Sequence, residues 1–167
     1  MYKRIINKFI KMTNAIGWIC GFVATIGSVC IILLTVGDVF MRFFFNKPIN
    51  GSFELTEYLL VILVFMAIPW ATTKDAHVRV DLLTGKLKKQ KQAALYAISC
   101  LISIFISFLI AWYTLPEGKY AYELKEKSDM LNIPSYPFHY FVAFGFFILV
   151  VILIAVLIRY IREAVNK

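Results

Sequence analysis

Four stretches of this chain contain no Asp, Glu, Lys or Arg: Met12 to Gly37, Tyr58 to Thr73, Gln92 to Pro116 and Asn132 to Ile158. Uncharged runs of that length, separated by short charged segments, leave few folds open. A hydrocarbon core of about 30 Å is crossed by about 20 mostly apolar residues in a helix, and only helices and closed barrels satisfy every backbone polar group there. The first, third and fourth stretches meet that length outright. The second reaches it by extending back through Leu55 and Phe53, with Glu54 and Glu57 at headgroup level, where a carboxylate costs far less than at mid-bilayer. Tilt or local thinning absorbs the rest. The expected fold is an all-α integral membrane protein, a single domain over residues 1–167 with four transmembrane helices at approximately 14–40, 53–73, 92–115 and 134–158. Composition agrees, because 60% of the residues are hydrophobic and 17% charged, against roughly half apolar in soluble domains.

The basic residues orient the bundle. Lys3, Arg4, Lys8 and Lys11 precede the first span, Lys74, Arg79, Lys86, Lys88, Lys89 and Lys91 lie between the second and third, and Arg159, Arg162 and Lys167 follow the fourth. Only Arg42, Lys47, Lys119, Lys125 and Lys127 fall on the other side. The positive-inside rule then places both termini and the middle connection in the cytoplasm. The same bias accounts for the net charge of +8 without a nucleic-acid partner, since the cations flank spans instead of forming a groove. The first apolar run is longer than the 7–15-residue core of a signal peptide and lacks a small-residue cleavage site, so it reads as a retained anchor. Trp18, Trp70, Tyr96 and Tyr160 fall near the proposed inner ends, and Phe43, Phe53, Tyr58, Trp112, Tyr113, Tyr136 and Tyr140 near the outer ones, as interfacial belts require.

Small residues recur at Gly17, Gly21, Thr25 and Ser28 on the first span and at Ser99, Ser103, Ser107 and Ala111 on the third. Both sets read as seams along which helix backbones approach closely in lipid, either against each other or against another protein. The charged feature nearest the membrane lies at the first hairpin. Asp38 and Arg42 are four apart on one helix face, and Glu54 and Glu57 open the second span, where the helix dipole favours anions. Asn50 or Gly51 is the expected cap. These four charged residues are expected to form one compact cluster at the outer boundary, serving ion or substrate handling or acting as a clasp that fixes the hairpin. The clasp is favoured, because ionisable groups imply function chiefly when they sit at depth.

Beyond the second span, Val80, Leu83 and Leu87 share a helical face opposite Arg79 and Lys86, which predicts a short cytoplasmic interfacial helix over approximately 78–90. His77 and Asp81, at i and i+4, suit a polar clamp between this helix and a span. As metal ligands they fall short of the three protein ligands of a catalytic zinc site. The outer connection from Pro116 to Pro137 alternates charge and carries a helix-compatible Glu123 and Lys127 pair. It either contacts a soluble partner or simply links two spans.

Redox and hydrolytic chemistry lack their parts. Cys20, Cys30 and Cys100 are isolated within apolar spans, so no reactive pair is formed. His77 and His139 lie away from mid-membrane, where bis-histidine haem ligation needs them. No G-x-S-x-G, H-E-x-x-H or P-loop pattern occurs. No catalytic, cofactor or metal site is therefore expected. The spans show no internal repeat of the kind secondary transporters use, although a stand-alone homo-oligomeric transporter or channel is the alternative that must be weighed.

The segment from Asp38 to Leu87 resembles the small membrane subunit, DctQ type, of tripartite ATP-independent periplasmic (TRAP) transporters. The residues carrying the resemblance are Asp38 with Arg42, Pro48 and Gly51 ahead of Glu54 and Glu57, and His77-Val78-Arg79-Val80-Asp81. The four-span layout and length match as well. The resemblance implies a bacterial inner-membrane importer driven by a sodium gradient. A larger multi-span subunit would hold the substrate and sodium sites, and a periplasmic binding protein would deliver an organic acid. The chain looks closest to the sialic-acid branch, within a family that also imports C4-dicarboxylates. The small subunit would widen and anchor the large one, and its outer surface would help dock the binding protein. Asp38, Arg42, Glu54, Glu57, His77, Arg79 and Asp81 are the expected interaction residues, with the bilayer as a further partner.

Overall fold

A computed structural model of the chain describes residues 2–74 and 89–165. Among them there are four helices and no strand: α1 over Tyr2–Phe45, α2 over Ser52–Thr73, α3 over Lys89–Glu123 and α4 over Tyr136–Val165. Each contains a segment long and apolar enough to cross a membrane, so the all-α, four-helix class expected from the sequence is the one observed. His77, Arg79, Asp81 and most of the expected interfacial helix lie outside the described residues.

The helices pack with α2 and α4 in the middle, α1 mainly against α2 and α3 against α4, while α1 also meets α4. Both described connections, 46–51 and 124–135, lie at one end of the bundle, here termed the hairpin end. The other, where α1 and α3 begin and α2 and α4 finish, is the terminal end. Only 17% to 33% of the most apolar window of each helix is buried inside the bundle. The remaining apolar surface must face lipid or another protein, since water would exact about 25 cal/mol per Å² for it.

The α1 seam is Thr13, Gly17, Cys20, Gly21, Ala24, Gly27 and Asp38, all buried, at the i, i+3, i+4 spacing of one helix face. Gly17 and Gly21 belong to it as expected and Ser28 is partly buried, but Thr25 is exposed. At Gly21 the approach is close enough that a Cβ would stand 2.6 Å from the Trp70 ring. On α3 the expected seam is divided between the bundle interior and the outer surface. Ser99 and Ser103 are exposed, whereas Cys100, Ser107, Ala111, Gly118 and Ala121 are buried. A residue every fourth position advances 400° on a helix of 3.6 residues per turn, so the set drifts by about 40° per step. The row that faces outward at Ser99 has turned inward by Ala111. Between α2 and α4 the tightest approach is at Gly145, where a Cβ would lie 2.8 Å from the carbonyl oxygen of Phe65.

The second connection is shorter than its composition suggests. Helix α3 runs through Pro116 to Glu123, and Lys125, at φ 53°, ends it. Glu126 donates its N–H to the Ala121 carbonyl at 3.0 Å and Lys125 to that of Tyr122 at 3.2 Å, a Schellman closure with lysine where glycine is usual. Glu123 therefore pairs back with Lys119 at 3.7 Å, and the expected Glu123 and Lys127 pair does not form, because the helix that would align it has stopped. Residues 126–135 then fold into a tight loop, with Ser128 N–H donating to the Ile133 carbonyl at 2.9 Å and Ser135 N–H to that of Glu126 at 3.1 Å.

Candidate functional site

Asp38 ends the buried seam of α1, and its carboxylate is divided between two partners. One oxygen accepts from Arg42 Nη2 at 2.8 Å, the i+4 pair that the sequence predicts. The other accepts the backbone N–H of Ile49 at 2.8 Å. The Ser52 hydroxyl lies beside the same carboxylate. With Arg42 55% exposed, the ion pair itself contributes little. The bond to Ile49 carries the structural consequence, since a carboxylate receiving a backbone N–H gives a short, charge-assisted hydrogen bond. It folds the 46–51 turn back onto α1 and fixes where α2 begins.

Gly51 occupies the cap position of α2 in the left-handed region, at φ 76°, and no side chain caps the helix. The expected capping residue is thus in place, but it serves by conformation. A Cβ at Gly51 would stand 2.5 Å from Leu131 Cγ, so the absence of a side chain is also what seats Leu131 of the second connection against the start of α2.

Glu54, one turn further on, completes this contact. Its Oε1 accepts the N–H of Met130 at 2.6 Å and its Oε2 that of Leu131 at 2.9 Å. The Ser128 hydroxyl also faces this carboxylate. One side chain on α2 therefore holds two consecutive amides of the loop joining α3 to α4. Just below, the rings of Tyr58 and Phe138 stack at 4.0 Å between centroids, continuing the α2 and α4 contact into the bundle.

The expected four-residue cluster is therefore two separate devices. Asp38 and Arg42 close the first hairpin, and Glu54 latches that hairpin to the second. Glu57 is exposed and takes part in neither set of bonds. Met130 and Leu131 are the partners that sequence reasoning missed. The bond uses their main-chain N–H groups, which carry no residue-type signal. The glycine ahead of Glu54 was the only available hint.

Chemically, the hairpin end can hold helices in register and present a shaped surface. Among the described residues no group of three or more His, Cys, Asp or Glu is placed to hold a metal ion. Cys20 and Cys100 are buried on different helices.

Comparison with known proteins fits this picture. The profile of the family described as "Tripartite ATP-independent periplasmic transporters, DctQ component" matches residues 31–163, from the middle of α1 nearly to the end of α4. A protein of Haemophilus influenzae whose provisional name is TRAP transporter small permease protein is 28% identical over 99 residues. The match covers 59% of this chain and 59% of that relative's length. No solved structure matches the chain. With the profile spanning the site and most of the bundle, the chain belongs to the DctQ component family of tripartite ATP-independent periplasmic transporters.

Proposed function

We propose that this chain is the small membrane subunit of a sodium-coupled TRAP importer in a bacterial inner membrane, with both termini cytoplasmic, and that it scaffolds a larger transport subunit. The family match over residues 31–163 carries this reading. Two physical features support it. The four stretches contain no Asp, Glu, Lys or Arg, so the chain has no charged side chain at depth with which to bind a carboxylate substrate or sodium, a task that falls to the partner. The outer helices α1 and α3 carry rows of exposed apolar side chains, among them Phe22, Val29 and Leu33 on α1 and Leu101, Phe105 and Trp112 on α3, which offer area for a membrane-embedded partner. The substrate is an organic acid brought by a periplasmic binding protein: sialic acid first, by the resemblance of the sequence to that branch, and otherwise a C4-dicarboxylate. His77, Arg79 and Asp81 serve assembly at the cytoplasmic face in this proposal, and Arg42, Glu54 and Glu57 at the periplasmic one.

Reconstitution into liposomes tests it. Sialic-acid uptake under an inward sodium gradient is expected only when this chain, its large subunit and the binding protein are all present. Uptake by this chain alone would overturn the scaffold assignment in favour of a homo-oligomeric transporter.

A further inference from the structure

At the terminal end, α1, α2 and α4 enclose a cleft whose lining includes Thr13, Asn14, Thr73, Ile152, Val156 and Arg159. Its floor is apolar and closed: Ile152 is 1% exposed and Thr13 2%. The Thr13 hydroxyl is turned back to the Ile10 carbonyl at 3.0 Å and that of Thr73 to the Trp70 carbonyl at 2.7 Å. The lining groups that carry side-chain N–H donors are the Asn14 amide and the Arg159 guanidinium; Arg159 is already engaged, its Cζ 5.6 Å from the centroid of the Tyr160 ring, and a guanidinium has five N–H donors in all. Lys11, one turn before Asn14 on α1, is exposed, as is Lys74 at the end of α2. Lys74 lies 4.7 Å from the centroid of the Trp18 ring, an aromatic at the depth where headgroups meet hydrocarbon. Among the described residues that line the cleft, none is acidic.

From this arrangement we infer that the cleft binds the phosphate headgroup of one anionic phospholipid of the cytoplasmic leaflet. Asn14 and Arg159 contact the phosphate, Lys74 and Lys11 face its negative charge, and the acyl chains run down the exposed apolar side of the bundle. Basic pockets between helices on the cytoplasmic side are where anionic headgroups are held. A planar guanidinium suits a phosphate through paired N–H donors. The inference rests on the orientation given in the proposed function, but its test does not, because lipid retention is read in detergent, whatever the topology.

The test is native mass spectrometry of the full chain, purified in mild detergent and titrated with phosphatidylglycerol or phosphatidylcholine of the same acyl composition. The wild type is expected to retain one phosphatidylglycerol with a preference of about fivefold per participating cation over phosphatidylcholine. Arg159→Ala should lose most of that preference, and Arg159→Lys should keep part of it. Asn14→Leu, at an exposed helical position, should weaken retention while leaving the melting temperature unchanged, which separates lost binding from lost folding. Equal retention of the two lipids by the wild type, or undiminished phosphatidylglycerol retention in both Arg159→Ala and Asn14→Leu, would overturn the inference. Displacement of the lipid by millimolar inorganic phosphate would also overturn it, since the site would then read a free anion.

Discussion

Glu54 Oε2 accepts the backbone N–H of Leu131 at 2.9 Å across 77 residues of sequence, and through this contact the two hairpins of the bundle are joined at one end. The neighbouring bond to Met130 makes the latch bidentate. Bidentate acceptance fixes orientation as well as distance, so the loop of residues 126–135 is held in one pose above the start of α2.

Glu54→Gln keeps the size of the side chain but leaves one acceptor oxygen for two N–H donors. Amide hydrogen exchange measured by mass spectrometry is expected to quicken at Met130 and Leu131 and to stay unchanged at Ser128, whose N–H is bonded to Ile133. Equal protection at all three positions in mutant and wild type would mean that the latch does not order the loop.

Gly51→Ala meets two penalties, a left-handed backbone at φ 76° and a Cβ 2.5 Å from Leu131 Cγ. Together they are expected to cost about 1–3 kcal/mol. Adding Leu131→Ala should recover the steric part and leave the conformational part, so a double-mutant cycle in detergent should show coupling of about 0.5 kcal/mol or more. Strict additivity would separate Gly51 from Leu131.

The two helical glycines Gly145 and Gly27 should respond differently to alanine. At Gly145 the new Cβ meets the Phe65 backbone oxygen at 2.8 Å, which cannot rotate away, whereas at Gly27 the nearest atom is Leu63 Cβ at 3.5 Å, an ordinary contact. Gly145→Ala is expected to destabilise by about 1–3 kcal/mol. Gly27→Ala should be neutral or slightly stabilising, since alanine is the better helix former by about 1 kcal/mol. Thermal unfolding in one detergent compares them directly, and similar losses at both sites would contradict the packing described.

The register of α3 can be checked in the same way. Ser103→Leu projects from an exposed position and should leave the melting temperature of the isolated chain unchanged, while Ala111→Leu enters a site with 0% exposure and should cost about 1–3 kcal/mol. A larger loss from Ser103→Leu would restore the straight four-residue seam that the sequence suggests.

The spans were legible in the sequence because charge is excluded from them, and bilayer thickness turns that exclusion into helix lengths. The Asp38 and Arg42 pair was legible because spacing of four on a helix is itself a geometric statement. The α3 seam was only half legible. Exact fourfold spacing and a real helix face part company by about 40° per step, so Ser107 and Ala111 pack inside the bundle while Ser99 and Ser103 lie on its outer surface. The end of α3 was obscured because Lys125, with no glycine to announce it, adopts the left-handed conformation. The Glu54 latch was hidden for a different reason: its donors are main-chain amides, and any two residues at 130 and 131 could supply them.

The accessory-subunit account is tested most directly by purifying the tagged chain from its native membrane in mild detergent and identifying what comes with it by mass spectrometry. The account predicts a much larger multi-span protein at about one copy per copy of this chain. Recovery of this chain with only further copies of itself would contradict it.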